Sequence, residues 1–259
     1  MNEQKRGKMI DFWSGRARAF GQDPRANTND VWLREVEIRY VDELIRKHAF
    51  RSIVDFGCAN GFSTLHLAEL HGACAFHGID INPDMIGVAR SWAAEKGLGN
   101  AAFSCQDVLS QAVSSGPDFI YAIRVFQNIE SEQKQRQVAD RLCDALAPDG
   151  CLLTIESYTE GYKRLNDDRI AMGLAALPIH EHLTLLGDAF DDHIGRRLNP
   201  VSKVSLSSSY YLVTRLLYSA LAAESGEPID YNHAIHRLAA FMPQIGDYGP
   251  QRACLYIKA

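Results

Sequence analysis

The stretch "SIVDFGCANGFS", residues 52–63, decides the fold of this chain. A short apolar run precedes Asp55, and small residues then alternate through Gly57, Ala59 and Gly61. This order predicts a strand that enters a glycine-rich turn and continues into a helix. Such turns usually hold the phosphates of a nucleotide against a helix N-terminus. An acid at the mouth of the turn is therefore unexpected.

Composition limits the classes of protein that this chain can represent. It has 259 residues, 46% of them hydrophobic and 23% charged, and a formal net charge of -5. These values are ordinary for a globular protein, and the acidic balance argues against a nucleic-acid partner. The start has no apolar run of signal-peptide length, and the apolar stretch 210–223 is interrupted by Arg215, so we expect no membrane span and a cytoplasmic location. No pattern sets an oligomeric state.

Six cysteines stand at positions 58, 74, 105, 143, 151 and 254, and none are spaced as C-x-x-C. The spacing therefore offers neither a zinc knuckle nor a thioredoxin motif. We expect reduced thiols, most of them buried in apolar runs.

Strand and helix patterns alternate through the first part of the chain. Strands are predicted over 52–57, 74–81, 101–108, 118–125 and 151–157, and helices over 30–49, 62–72, 83–97 and 131–147. This alternation indicates an α/β fold with a mostly parallel, doubly wound sheet and helices on both faces.

The regular alternation of strands and helices ends after residue 157. Residues 158–200 are polar and mixed, 205–223 resembles a strand that enters a helix, 231–241 a helix and 252–259 a final strand. We expect one domain over 1–259, made of N-terminal helices (1–50), a ligand-binding core (51–157) and an acceptor-side insertion with the C-terminal strands (158–259).

The glycine spacing argues against a dinucleotide. The pattern G-x-G-x-x-G needs a glycine where Phe62 stands, and Asp55 would repel a pyrophosphate. A cationic ligand without phosphate removes both difficulties, and S-adenosylmethionine (SAM) is such a ligand. Asp80 ends the second strand, where a carboxylate can accept the ribose hydroxyls. Asp107 follows the third strand, where a carboxylate can accept the adenine amino group.

Five segments resemble, in order and spacing, the motifs of class I SAM-dependent methyltransferases. They are "VDFGCANG" (54–61), "GIDIN" (78–82), "SCQDV" (104–108), "DFIYAIRVFQNI" (118–129) and "LAPDGCLLTIES" (146–157). The resemblance covers about residues 50 to 157 and implies a Rossmann-like, seven-stranded sheet. One departure is Ala59 at the usual middle glycine, and we expect a small effect because alanine allows close approach at negative φ.

The resemblance also implies a set of SAM contacts. In it Asp55 helps to hold the ammonium group, Asp80 takes the ribose, and Asp107 takes the adenine amino group. The implied cofactor-binding residues are Asp55, Gly57, Cys58, Ala59, Gly61, Asp80, Ile81, Gln106, Asp107, Val108 and Arg124. Arg124 follows the fourth strand and is expected near the methyl group, although a surface arginine is an equal alternative.

The acceptor is expected to be a small molecule or a sugar or glycan, methylated at oxygen. A hydroxyl acceptor benefits from a general base. Candidate catalytic residues are Glu156 at the end of the fifth strand, His180 and His182 in the insertion, and Arg124. We expect the insertion to cover the acceptor. The alternatives are an N-methyltransferase, a SAM-binding domain without catalysis, and a nicotinamide-dependent dehydrogenase.

Three further segments have open interpretations. The N-terminal stretch with Trp13 and Arg16 either folds over the SAM pocket and contacts the cofactor, or packs its aromatic residues on the body. The histidines of "HEH" (180–182) and "DDH" (191–193), and the set Asn166, Asp167 and Asp168, lack a diagnostic metal spacing, so no metal is expected. The tail, with Tyr210 and Arg215, weakly resembles methyltransferases of polysaccharide synthesis, or forms a structural network.

Overall fold

The computed structural model describes residues 2–111, 113 and 116–259. A seven-stranded sheet lies at its centre, in the order β3-β2-β1-β4-β5-β7-β6. The strands are β1 (Ser52–Phe56), β2 (Ala75–Asp80), β3 (Ala101–Cys105), β4 (Phe119–Ile123), β5 (Cys151–Ser157), β6 (Asn199–Val204) and β7 (Gln251–Ile257). The helices are α1 (Asn2–Phe20), α2 (Val31–His48), α3 (Phe62–Leu70), α4 (Pro83–Lys96), α5 (Glu132–Ala145), α6 (Thr159–Ala171), α7 (Asp188–Gly195), α8 (Ser208–Tyr211), α9 (Tyr218–Ser225) and α10 (Ala234–Phe241).

The first five strands are parallel, and β7 runs antiparallel between β5 and β6. The predicted Rossmann-like, mostly parallel sheet is thereby confirmed. Its central strands are buried on both faces. Tyr121 and Leu153 pack with the side chains of α2 and α10, whereas Ile120 and Leu152 pack with those of α5 and α7. Continuous apolar strands are the expected sequence of a sheet covered on both sides.

Local sequence signals explain where the helices begin and end. The Asn82 side chain accepts hydrogen bonds from two N–H groups of the first turn of α4, and Pro83 occupies the first helical position. Gly97 ends this helix in the left-handed conformation. Asp30 caps α2 by accepting a hydrogen bond from the backbone N–H of Leu33 at 3.2 Å. Asn82 follows the end of β2 by two residues and so lies at the carboxyl-end edge of the sheet.

The region after β5 corrects the sequence prediction in two places. Residues 158–200 contain α6 and α7, and the strand expected near 205 is β6 at Asn199–Val204. Most residues of β6 are exposed, so the strand lacks the apolar alternation by which strands are recognised. Residues 208–225 are helical instead, with a π-helical segment at Leu212–Leu217. Among the described residues, no helix is both long and apolar enough to span a bilayer.

Candidate active site

A cavity of about 380 Å³ opens at the carboxyl ends of β1, β2 and β4, the point where the strand order reverses. Ligands of open α/β sheets bind at this position. Helix α1 covers the cavity as its roof and is held in place by hydrogen bonds at Lys5 and Ser14. Lys5 Nζ donates to Thr184 Oγ1 at 2.7 Å, and Asn82 Nδ2 donates to Ser14 Oγ at 3.0 Å. The N-terminal helix, which is not part of the sheet core, therefore covers the cavity.

Twelve of the sixteen residues singled out from the sequence line this cavity. They are Trp13, Arg16, Gly57, Ala59, Asp80, Ile81, Gln106, Asp107, Val108, Arg124, His180 and His182. The other four are Asp55, Cys58, Gly61 and Glu156, which do not line it.

The turn after β1 needs glycine at position 57. Gly57 has a φ of 78°, and a Cβ built on it lies 2.3 Å from Val125 Cγ2. Its N–H donates to Ile79 O at 2.7 Å, which holds the turn against β2. Gly61 shares the φ of 78° and precedes the first residue of α3. The positive φ and the contact with Val125 therefore both favour glycine at position 57.

Ala59 has a strained backbone conformation that the sequence did not predict. Ala59 has a φ of 47°, in the left-handed region, so the expectation of a negative φ was wrong. Its N–H donates to Asp80 Oδ2 at 2.9 Å, and this bond holds the residue in place. A left-handed conformation costs an alanine roughly 1–2 kcal/mol. The turn therefore stores strain at the cavity wall.

Asp80 stands at the end of β2, facing the cavity. Its Oδ1 accepts the N–H of Asn82 at 2.8 Å, and its Oδ2 accepts the N–H of Ala59. Burial raises the pKa of Asp80, and these backbone hydrogen bonds oppose the rise. Each carboxylate oxygen can accept more than one hydrogen bond. The group is therefore held in one orientation and can still accept ligand hydroxyls.

Asp107 forms an ion pair that the sequence did not predict. Its Oδ2 lies 2.6 Å from a guanidinium nitrogen of Arg6, in α1, and its Oδ1 accepts the N–H of Leu109 at 3.0 Å. Although burial raises the pKa of Asp107, the hydrogen bonds from Arg6 and Leu109 hold it below the ordinary value. The carboxylate for which an adenine contact is predicted is thus already paired with an arginine of α1.

Asp55 lies behind the turn and not on the cavity wall. It is buried, and Thr64 Oγ1 donates to its Oδ2 at 2.6 Å. Burial raises the pKa of Asp55 to about 6, opposed by the hydrogen bonds from Thr64 and Tyr121. This placement does not support a direct contact between Asp55 and the ammonium group of a ligand in the cavity. Cys58 is also buried behind the wall.

Arg124 reaches the cavity from a left-handed position after β4, with a φ of 57°. Its Nε lies 3.1 Å from Glu37 Oε1, and its NH1 group donates to Thr28 Oγ1 at 3.3 Å. Arg34, also on the cavity wall, lies 3.3 Å from Glu37 Oε2. Glu37 is fully buried, so two guanidinium groups share one buried carboxylate. Strained non-glycine residues cluster at functional sites.

Glu156 is placed differently from the expectation that it faces the acceptor. It is fully buried, and its carboxylate accepts the backbone N–H groups of Val125, Phe126 and Gln127 at 2.7, 2.9 and 3.2 Å. Burial raises the pKa of Glu156 to about 8, and the three hydrogen bonds oppose the rise. These hydrogen bonds hold the backbone after Arg124 in place. The Glu156 side chain does not line the cavity and so offers no contact with a ligand there.

The insertion contributes His180, His182 and Leu183 to the cavity wall. The two imidazole rings stack with centroids 5.6 Å apart, and the ring of Phe12 lies 4.9 Å from that of His182. Burial lowers the pKa of His182, with a smaller contribution from His180. The rest of the insertion packs elsewhere, and helix α7 contacts α5. Only a short part of 158–200 therefore covers the cavity.

Trp13 and Arg16 both line the cavity, from the inner side of α1. The Arg16 guanidinium is already engaged, because it donates to Ala26 O and Asn29 Oδ1, each at 2.9 Å. It also packs on the Phe20 ring, 4.9 Å from the centroid. Arg16 thus ties the roof to the loop that precedes α2.

The polar residues of the tail point inward. Tyr210 and Arg215 both hydrogen-bond Asp30, and Tyr210 also contacts His236 Nδ1 at 3.0 Å. Asp30 is buried and reaches the cavity wall, whereas Tyr210 and Arg215 do not. Tyr210 and Arg215 therefore form a structural hydrogen-bond network, the second of the two interpretations of the tail. In the described part of the chain, no group of three or more His, Cys, Asp or Glu side chains could hold a metal ion.

Sequence reasoning missed several cavity residues, most of them outside the glycine-rich core. They include Arg6, Met9, Phe12, Asn27, Thr28, Asn29, Asp30, Arg34, Asn128 and Tyr231. The polar run "ANTND" (26–30) was the available signal, since four polar residues directly precede an amphipathic helix.

Comparison with known proteins agrees with this geometry. Residues 53–150 match the model of a family described as a methyltransferase domain. The trans-aconitate 2-methyltransferase of Rhizobium etli is 26% identical over 237 residues, which cover 92% of this chain and 80% of that protein. The enzyme of the same name from Methylobacterium nodulans is 34% identical over 100 residues, 39% of this chain and 36% of that protein. The alignment with the enzyme of that name from Rhizobium leguminosarum covers 48% of that enzyme. The chain therefore spans about half or less of the Methylobacterium nodulans and Rhizobium leguminosarum enzymes.

Solved structures share the fold. The N-methyltransferase NodS from Bradyrhizobium japonicum, in complex with S-adenosylhomocysteine, superposes with a TM-score of 0.60 at 16% identity and covers 95% of this chain and 98% of its own. Coclaurine N-methyltransferase superposes with a TM-score of 0.55 at 16% identity, over 86% of this chain and 72% of its own. The cavity, the glycine-rich turn and the match over residues 53–150 point to one conclusion: this part of the chain is a methyltransferase domain with the Rossmann-like fold that the solved methyltransferases share.

Proposed function

We propose that this protein transfers the methyl group of SAM to an oxygen atom of a small carboxylic acid, and that residues 1–259 act as one methyltransferase domain. The observation that carries the proposal is the cavity itself. It joins the strand-end acids of a SAM-dependent methyltransferase domain to a wall with two guanidinium groups, Arg34 and Arg124. The relatives named as trans-aconitate 2-methyltransferases support an acid as acceptor.

The residues of the cavity fit the donor. Asp80 would accept the ribose hydroxyls, and Ile81, Gln106, Asp107 and Val108 would surround the adenine. The rest of the molecule would lie against the glycine-rich turn, because Gly57 and Ala59 line the cavity. When bound, SAM supplies a methyl group on a positively charged sulfur, which keeps the bonding electron pair when the methyl group leaves.

The acceptor would lie on the side of Arg34 and Arg124. A carboxylate oxygen is already an anion, so its attack on a methyl group needs no general base. The positive and negative charges of donor and acceptor cancel in the reaction, and removal of water by the α1 roof strengthens their attraction beforehand. The main tasks of the protein are then to orient the acid and to exclude water. A hydroxyl acceptor would instead call on His182, whose lowered pKa leaves it neutral and able to accept a proton.

A transfer assay tests the proposal. The purified protein is incubated with SAM and a panel of small acids that includes trans-aconitate, and S-adenosylhomocysteine and methylated acids are measured by mass spectrometry. Mild alkali then distinguishes the products, because a methyl ester is hydrolysed whereas an N-methyl group is retained. We expect an alkali-labile product from at least one acid. An alkali-stable N-methyl product, or no product from any acid, would contradict the proposal.

A further inference from the structure

One side chain of the cavity wall is buried without a partner. Asn27 is 7% exposed, and neither its Nδ2 nor its Oδ1 makes a hydrogen bond in the part of the chain that the structure describes. Its backbone N–H is satisfied, donating to Pro24 O at 3.0 Å. Leaving a buried polar atom unpaired costs about 1–3 kcal/mol. The amide thus lowers the stability of the ligand-free fold, which calls for another reason for its presence.

Two other asparagines on the same wall, Asn29 and Asn82, are engaged. Asn29 Oδ1 accepts from Arg16 at 2.9 Å, and both polar atoms of the Asn82 side chain are bonded. Nine buried side-chain atoms in the described residues lack a partner, and five of them belong to cavity residues. These five are Asn27 Nδ2 and Oδ1, Arg34 Nε, Asn128 Oδ1 and Arg124 Nε, the last of which is ion-paired with Glu37 but lacks hydrogen-bond geometry. The shortage of partners is therefore concentrated at this cavity.

The unpaired atoms define the chemistry of a ligand. The guanidinium groups of Arg34 and Arg124 and the Nδ2 of Asn27 donate, and charge-assisted bonds from guanidinium groups suit a carboxylate. The oxygens of Asn27 and Asn128 can only accept, so a carboxylate alone would leave them unpaired. A hydroxyl group next to the carboxylate supplies the missing donor.

We propose that Asn27, Arg34 and Arg124 form an acceptor subsite for a hydroxy acid, in which the guanidinium groups take the carboxylate and the Asn27 amide takes the adjacent hydroxyl. This inference rests on the proposed function for its location and names the acceptor class more closely. It makes Asn27 a specificity-determining residue. The amino-acid end of SAM also joins a carboxylate to a donor, so the experiment must separate the two ligands.

Calorimetry on the protein saturated with S-adenosylhomocysteine provides the test, since it measures binding without turnover. Two pairs of acids differ by a single hydroxyl: malate with succinate, and citrate with tricarballylate. We expect the hydroxy acid of at least one pair to bind about tenfold more tightly, the value of one hydrogen bond in a buried site. In Asn27→Leu this preference should fall to about one, while the affinity for S-adenosylhomocysteine stays within about twofold.

A pair of variants separates binding from folding. Asn27→Leu removes an unpartnered amide and should raise the melting temperature by a few degrees. Asn29→Leu removes an amide that is bonded to Arg16 and should lower it or leave it unchanged.

Three results would overturn the inference: no preference for the hydroxy acid in either pair, a preference that survives in Asn27→Leu, or a loss of S-adenosylhomocysteine affinity in that variant. The last would assign the amide to the cofactor. Binding of a hydroxy acid without methyl transfer would contradict the proposed function and leave the subsite standing.

Discussion

Arg6 lies 2.6 Å from the Asp107 carboxylate, and this ion pair joins the roof helix α1 to the segment that follows β3. Both side chains are about one quarter exposed, at 27% and 25%. The contact spans 101 positions of sequence and closes one side of the cavity. We expect the pair to influence the rate of ligand release, because both residues line the cavity and join α1 to its wall.

Arg6→Ala should therefore accelerate the release of S-adenosylhomocysteine. A partly exposed ion pair contributes up to about 1 kcal/mol, which corresponds to about a fivefold increase in the dissociation rate constant. Stopped-flow displacement would measure it. Arg18→Ala is the matched control, because Arg18 lies on the same helix and pairs with Asp84 in a more exposed contact. Equal dissociation rates in wild type and Arg6→Ala would show that this pair does not hold the roof.

Ala59→Gly should stabilise the protein. Glycine removes the cost of the left-handed conformation, and its N–H retains the bond to Asp80. Part of the gain is offset because glycine is freer in the unfolded chain, so we expect about 0.5–1 kcal/mol in the free energy of unfolding. Denaturant titration would measure it. Ala49→Gly, at a φ of 53° beyond the end of α2, should gain a similar amount far from the cavity. A loss of stability in Ala59→Gly alone would mean that the turn depends on the methyl group.

Glu156 predicts a pH dependence of stability. Its pKa is about 8 when folded because of burial, whereas the unfolded chain releases this proton near pH 4–5. Between these values the folded state binds the additional proton, so the free energy of unfolding should decrease as pH rises toward 8. The slope reaches at most about 1.4 kcal/mol per pH unit. Asp55, with a pKa of about 6, has already ionised above pH 7.

Denaturant titrations between pH 7 and 8 isolate this effect. Glu156→Gln cannot ionise and should lose the slope, whereas Glu132→Gln, an exposed acid of α5, should keep the wild-type slope. A variant with the full wild-type slope would show that Glu156 is already ionised at neutral pH. If turnover instead falls by about a hundredfold at unchanged stability, Glu156 takes part in the chemistry.

The parallel arrangement of β1 to β5 was predictable because strand and helix patterns alternate along this part of the chain. The carboxyl ends of such strands meet at one edge, so Asp80 and Asp107 could be placed together from their positions alone. The exposed edge strand β6 carries no such pattern and was missed.

The residues that sequence reasoning missed depend on burial and on distant partners. Asn27 becomes significant only when folding buries its amide, and a single asparagine in a polar run carries no signal of this. The sharing of Glu37 between Arg34 and Arg124 joins α2 to the end of β4, 87 positions apart. Glu156 was expected at the acceptor because it ends a strand, but its side chain turns to the backbone of 125–127.

A calorimetric titration of the wild-type protein with S-adenosylhomocysteine, and separately with NAD, tests the central claim most directly. We expect that S-adenosylhomocysteine binds and NAD does not, because the turn after β1 lacks the dinucleotide pattern. Asp80→Ala should weaken the binding at least about tenfold, through loss of charge-assisted hydrogen bonds, while Asp84→Ala, an exposed acid in the next helix, changes nothing. Binding of NAD without S-adenosylhomocysteine, or unchanged affinity in a folded Asp80→Ala protein, would contradict the account.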